Sequence, residues 1–246
     1  MKIDILTLFP EMFNGFLTTS IIKRAIDKKR VQINLHNFRE YSIDKHNKVD
    51  DYPYGGGRGM VLMCQPVLDC LKAISTKESY VILMSPQGIS FKQEVAKKLA
   101  INKNHLILIC GHYEGFDERI RNYVDLEISL GDYVLTGGEL ASMVISDAII
   151  RLLDGVIFED SHQFDSFSND LLEHPHYTRP YEYDGLIVPK VLISGHHENI
   201  RKYRIKESLK RTLERRPDLL ESKALNQEEK KMVDELLNND YEKEGI

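Results

Sequence analysis

Three short segments of this chain bring glycine to the end of an apolar run: Ser85-Pro86-Gln87-Gly88, Gly111-His112-Tyr113-Glu114-Gly115, and Leu130-Gly131-Asp132-Tyr133-Val134-Leu135-Thr136-Gly137-Gly138. Such segments let a ligand approach bare backbone N–H and C=O groups, and the edge of a purine is a ligand those groups suit. The last segment, preceded by Ser129, opens a helix at Gly138 whose first turn can receive a polar group. Singly, each reads better as a mere tight strand-to-helix turn. Together they fall at one place if the strands are parallel neighbours, since ligands collect beyond the carboxyl ends of such a sheet.

Other chemistries find less support. GGGRGM, Gly55 to Met60, lacks the lysine–hydroxyl pair of a phosphate-binding loop, and no G-x-G-x-x-G follows the first strand. The histidines of HPH (His174, His176) and GHH (His196, His197) have no cysteine nearby and no metal-ligand spacing. Cys64, Cys70 and Cys110 cannot all pair and read as buried reduced thiols. A net charge of -5 means that a nucleic-acid partner requires a local basic patch. The N-terminal MKIDILTLFPEMF is broken by Asp4 and Pro10, and no apolar run approaches the ~20 residues of a membrane span. The expectation is a cytoplasmic protein without membrane contact.

The elements that must carry these segments alternate. KIDILTLF, VQINLHNF, YVILM, LILIC and DLEIS read as strands; PEMFNGFLTTSIIKRAIDKK, Pro66 to Ser75, Lys92 to Leu99, FDERIRNYV and GELASMVISDAIIRLL read as helices. Short apolar runs between helices imply an α/β domain with a parallel sheet covered on both faces. After Leu153 comes a polar, aromatic stretch without periodicity, expected to be a linker that is mobile or ordered by a partner. Beyond it SGHHENIRKYRIKESLKRTLERRPDLL is helical, with Ser194 as N-cap and Pro217 as stop. Ile205, Leu209 and Leu213 form its apolar stripe, and Lys202, Lys206 and Lys210 a basic one. The expected layout is residues 1–160, a linker over 161–185, and a small all-helical domain over 186–246. From His196 to Arg216 eight Lys/Arg face three Asp/Glu, a patch that suits phosphates but equally describes a solvated amphipathic face.

LFPEMF, YGGGRGM, SPQG, CGHYEG, GDYVLTGGEL, DSF, HPHYTRP and VPKVLISGHH occur in that order. In order and spacing they resemble the bacterial tRNA (guanine-N1)-methyltransferases of the SPOUT superfamily, the TrmD type, from residue 1 to about 240. The resemblance implies a deep trefoil knot at the carboxyl end of the sheet, a rare exception to the rules of chain connection. It makes the three segments the knot loops that hold S-adenosylmethionine. The implied donor set is Met84 to Gly88, Gly111, Tyr113, Glu114, Gly115, Ser129 to Leu135, Gly137, Gly138 and Ala141.

Methylation at guanine N1 requires alignment with an activated methyl, loss of the N1 proton, and stabilisation of charge developing at O6. Read alone, Asp165 is a turn or helix cap and Arg151 a solvated helix end. By resemblance Asp165 is the base, Ser166 a substrate contact and Arg151 the cation at the target guanine. The resemblance also implies a homodimer with shared active sites, in which Asp165 acts on donor held by the partner chain, with tRNA as substrate and magnesium assistance. RNA contacts are expected at Gly57, Arg58, Gly59, His176, His196, Arg201, Lys202, Lys206 and Lys210; no metal-ligand set is evident. Arg58, His112 and Ala141 stand where the family pattern often has proline, arginine and proline. Rival readings are a SPOUT enzyme acting at another RNA site, an RNA-binding protein without catalysis, and a nicotinamide oxidoreductase, which lacks its motif.

Overall fold

The computed structural model describes residues 1–157 and 165–243. The chain divides into two compact units, Met1–Glu159 and Asp160–Ile246. The expected domain boundary at residue 160 and the start of the linker lie outside the described residues.

The first unit contains, in order, β1 (Lys2–Thr7), α1 (Asn14–Thr18), α2 (Ser20–Asp27), β2 (Gln32–Asn37), β3 (Asp50–Asp51), β4 (Val61–Leu62), α3 (Cys64–Ile74), β5 (Ser79–Ser90), α4 (Gln93–Asn102), β6 (His105–Ile109), β7 (Leu126–Ser129) and α5 (Glu139–Ile150). Its main sheet has the order β2-β1-β6-β5-β7, and every pair in it is parallel. The strands read as unbroken apolar runs because both faces are covered. Leu106 and Leu108 of β6 enter one core with Ile145 and Ile149 of α5, whereas Ile107 and Ile109 enter a second with Val67 and Leu71 of α3.

Local chemistry departs from the sequence reading in three places. The first expected helix is broken into a 3-10 turn (Pro10–Phe13), α1 and α2. The Thr18 and Thr19 hydroxyls each bond back to a carbonyl four residues earlier at 2.7 Å, and Ser20 takes a φ of +53°, so polar side chains compete with the helix at the break. FDERIRNYV forms a 3-10 helix, Glu118–Tyr123. Ser85–Gly88 is an irregularity inside β5 instead of a strand-to-helix turn: pairing with β7 shifts register between Met84 and Ile89. Pro86 has no N–H to give the ladder, and the strand bulges around it.

Within β1 Asp4 is fully buried. It accepts from Asn34 Nδ2 (2.7 Å), His36 Nε2 (2.9 Å) and His105 Nε2 (2.5 Å) and pairs with Lys2 Nζ (2.7 Å). His105 passes the network on to Ser79 Oγ at 2.9 Å. One carboxylate thereby ties β2, β1 and β6 together.

The second unit holds a two-stranded antiparallel hairpin, β8 (Glu182–Tyr183) with β9 (Leu186–Ile187), then α6 (His197–Arg215), α7 (Pro217–Ser222) and α8 (Gln227–Lys243). The hairpin was not legible in a stretch expected to be linker followed by helices. The α6 N-cap is His196, whose Nδ1 accepts from Asn199 N, in place of Ser194, which ends a preceding 3-10 turn. Pro217 both stops α6 and opens α7. Leu209, Thr212 and Leu236 are buried. Leu172 and Glu173, in the expected linker, are fastened to α6: Leu172 N donates to Thr212 Oγ1 (2.9 Å), and Arg211 Nη1 to the Glu173 carbonyl (3.2 Å).

Candidate active site

One cavity of about 440 Å³ opens at the carboxyl ends of β5, β6 and β7, within the ~300–1,000 Å³ typical of small-molecule sites. Its wall runs through Met84 to Gln87, Gly111 to Gly115, Ser129 to Gly131 and Tyr133 to Gly138, with Ala141 on α5. All donor-site residues expected from sequence line it except Gly88 and Asp132. Gly88 serves the sheet just behind the wall: a Cβ there would strike the Glu127 carbonyl and Ile128 N of β7.

The second and third segments meet backbone to backbone. Gly138 N donates to the Gly111 carbonyl at 2.8 Å, and a Cβ on Gly138 would lie 2.7 Å from Cys110 Cα. His112, Phe116, Glu118, Arg121, Ile128 and Thr136 also line the cavity without having been assigned to the donor set. His112 and Thr136 lay inside the quoted segments; Glu118 and Arg121 follow Gly115 on the 3-10 helix and carry no sequence signal of their own. Arg121 is held by Glu118 (2.9 Å) and Glu127. Burial pushes the Cys110 thiol up, and its Sγ lies 3.0 Å from Ser142 Oγ, so it is an inert packing group. The bare backbone of three segments and a mixed polar and apolar lining fit a nucleoside with a charged tail, as S-adenosylmethionine is. Among the described residues no group of three or more His, Cys, Asp or Glu is arranged to hold a metal ion, so the residues present offer magnesium no dedicated ligand set.

The loop of Gly57, Arg58 and Gly59 is stitched to this wall. Glu114 N donates to the Met60 carbonyl (3.0 Å), and Leu62 N to the Gly115 carbonyl (2.9 Å). Gly59, at φ +82°, lies over the Glu114 side chain, whose Cγ would be 2.5 Å from an added Cβ. The expected RNA-contacting loop is therefore a neighbour of the cavity.

Arg151 is at the other end of α5. The helix spans 12 residues from Glu139, about 18 Å at 1.5 Å per residue. The structure therefore does not bring Arg151 to the cavity of its own chain. In the second unit Asp165 begins a compact turn closed by Ser168 N to the Asp165 carbonyl (3.0 Å) and Phe167 N to the Leu171 carbonyl (2.8 Å). Ser166 Oγ accepts from Glu173 N at 3.0 Å. Phe167 (φ +69°) and Asp170 (φ +57°) occupy a region that non-glycine residues rarely adopt. Strain of this kind is concentrated at functional turns.

The model of the family described as tRNA (Guanine-1)-methyltransferase TrmD matches residues 1–222. The chain belongs to that family. It is 54% identical over 247 residues to the tRNA (guanine-N(1)-)-methyltransferase of Spiroplasma kunkelii, covering 99% of this chain and 92% of that protein. The proteins of the same description from Bacillus cereus (strain AH820) and Bacillus anthracis (strain A0248) are each 57% identical over 242 residues, covering 96% of this chain and 98% of theirs.

In this TrmD-family chain the four α6 cations expected to contact RNA are paired with carboxylates. Arg201 bridges Glu198 (2.8 Å) and Glu228 (2.7 Å), Lys202 reaches Glu198 (3.6 Å), Lys206 reaches Glu235 (3.0 Å) and Lys210 reaches Glu214 (3.9 Å). The Arg201 guanidinium holds Glu198 down to about 2. Exposed pairs of this kind add little to stability, so phosphates can replace them at little cost. His176 Nε2 is paired with Glu173 at 2.7 Å. Tyr203 is half-buried; burial, then its hydrogen bond with Tyr177, pushes it up to about 12, which makes it a packing residue.

Proposed function

We infer that this chain transfers the methyl group of S-adenosylmethionine to N1 of the guanosine immediately 3′ of the anticodon in tRNA. The observation that carries the reading is the cavity formed jointly by three glycine-bearing segments in a chain of the TrmD family. In this reading those segments are the loops of a deep trefoil knot, residues 186–246 form a tRNA-binding domain, and the enzyme is a cytoplasmic homodimer.

When bound, S-adenosylmethionine supplies an electrophilic methyl on a sulfonium. The chain does the rest. Backbone groups of the three segments hold the adenosine edge and exclude water. Asp165 accepts the N1 proton, Ser166 contacts the guanine, and Arg151 meets the negative charge growing at O6. These three residues work on donor held by the partner chain. Two features support that arrangement: the separation of Arg151 from its own cavity along α5, and the apolar Leu140 (49% exposed) and Val144 (48% exposed) on one face of that helix, a surface suited to a second copy. The Gly57–Gly59 loop and the α6 cations receive the tRNA, whose target base must leave its stack to be reached.

The test is incubation with labelled S-adenosylmethionine and tRNA transcripts carrying guanosine or adenosine at the target position. Label is expected only in the guanosine transcript, at N1. Label in the adenosine transcript would instead identify a SPOUT enzyme acting at another RNA site. Donor binding without transfer to either transcript would overturn the catalytic reading.

A further inference from the structure

Glu139 is the first residue of α5 and only 1% exposed. It does not line the cavity, yet both its oxygens are engaged by residues around it. Oε1 accepts from the buried Thr7 Oγ1 at 2.7 Å, and Oε2 pairs with His112 Nε2 at 3.1 Å. A carboxylate accepts and does not donate, so the ring proton sits on Nε2. The circuit closes on the other side of the histidine. Thr7 Oγ1 accepts from Phe9 N at 2.9 Å, and the Phe9 ring tilts against the His112 ring with centroids 4.8 Å apart. Gly137 lies directly over the His112–Glu139 bond: a Cβ there would collide with His112 Nε2 and Glu139 Oε2.

We propose that Glu139 is a positioning residue of the donor site, acting through His112 and with the Thr7 hydroxyl as its second anchor. His112 and Gly137 belong to the cavity wall; Glu139 and Thr7 stand behind it. The buried carboxylate locks the end of β1, the segment after β6 and the entry to α5 into one geometry. It thereby fixes the gap between the second and third segments that grips the donor. The inference rests on the reading of this cavity as the S-adenosylmethionine site. It also gives His112 a role in this chain that is directed inward, to the donor wall.

Glu139→Gln preserves shape but removes the charge: with its N–H₂ toward His112 it sets donor against donor, and with its N–H₂ toward Thr7 the hydroxyl must turn to accept and His112 is left with a neutral acceptor in place of a carboxylate. The experiment is calorimetric titration of S-adenosylmethionine into the full-length protein, with KM and kcat for methyl transfer and the melting temperature, for wild type, Glu139→Gln, His112→Phe and the double variant. Glu139→Gln is expected to raise the donor Kd and KM about tenfold, the worth of one hydrogen bond to a charged group, with kcat at saturating donor within about twofold of wild type. In the His112→Phe background the same change is expected to add less than about twofold, because the two act as one unit. An unchanged donor Kd, a fall in kcat alone, or additive effects would overturn the proposal. A fall in kcat alone is what a smaller folded fraction gives. If Glu139→Gln cannot be purified, Thr7→Val must weaken donor binding in the same direction, and unaltered affinity there overturns the proposal equally. A wild-type protein giving no saturable heat overturns the donor-site reading itself, and this inference with it.

Discussion

Asp4 and Asp165 are the same residue type in opposite settings. Asp4 is buried, and burial alone would push its carboxyl up; the hydrogen bonds from Lys2, His36, Asn34 and His105 outweigh that and bring it down to about 2. A folded value below the ~3.9 of an unfolded aspartate favours folding in the charged form. That stabilisation is complete above about pH 4 and fades as pH falls through about 2. Asp4→Asn is therefore expected to cost roughly 3 kcal/mol at pH 7, as removal of one member of a buried charge network does, with the difference from wild type shrinking toward pH 2. Urea unfolding at several pH values measures it, and donor affinity at neutral pH should stay within about twofold of wild type because neither Asp4 nor any of its partners lines the cavity. Asp165, by contrast, is set in a strained turn closed by Ser168 N and Phe167 N. Asp165→Ala should lower single-turnover methyl transfer by ~10²–10⁴-fold, the usual worth of a positioned base, while donor titration gives nearly the wild-type Kd. Near-wild-type turnover would remove Asp165 from the mechanism.

The second and third cavity segments depend on glycine for contact between main chains. Gly138→Ala places a Cβ 2.7 Å from Cys110 Cα and 2.8 Å from Gly111 N. Neither backbone atom can swing aside, so the segments must separate. Donor affinity should fall by about tenfold or more, since displacements of ~1 Å are enough for such losses. Gly15→Ala in α1 meets nothing within 4 Å and has no positive φ; it should leave donor affinity unchanged and stabilise by up to ~1 kcal/mol. Titration and melting of both variants check the pair. The strands YVILM and LILIC, and the place where the segments converge, were legible because double-sided burial writes itself as continuous apolar sequence. The bulge at Pro86 was not, since it is defined by β7, some 40 residues further on. Nor was the Glu139–Thr7 bond, which joins residues 132 positions apart. The α6 cations were visible as charges, but Glu228 and Glu235 on α8, which pair with Arg201 and Lys206, carry no local sign of that pairing.

For the whole molecule, the question is which chain completes which site. α5 carries a cavity residue, Ala141, near its start and Arg151 at its end, so one rigid helix cannot deliver both to a ligand in that cavity. The proposed two-fold dimer would resolve this, because it repeats one patch against itself and can bring the Arg151 end of one chain toward the cavity of the other. Coexpressed Asp165→Ala and Gly138→Ala chains put the idea to a decisive test, provided each alone is inactive. In a mixed dimer acting in trans, the intact cavity of the Asp165→Ala chain meets the intact Asp165 of its partner, and the second site carries both defects. Random assembly makes half the dimers mixed with one working site each, so activity should return to about a quarter of wild type. If each chain used its own Asp165, every site in every dimer would carry one defect, and the mixture would be as inactive as its parents.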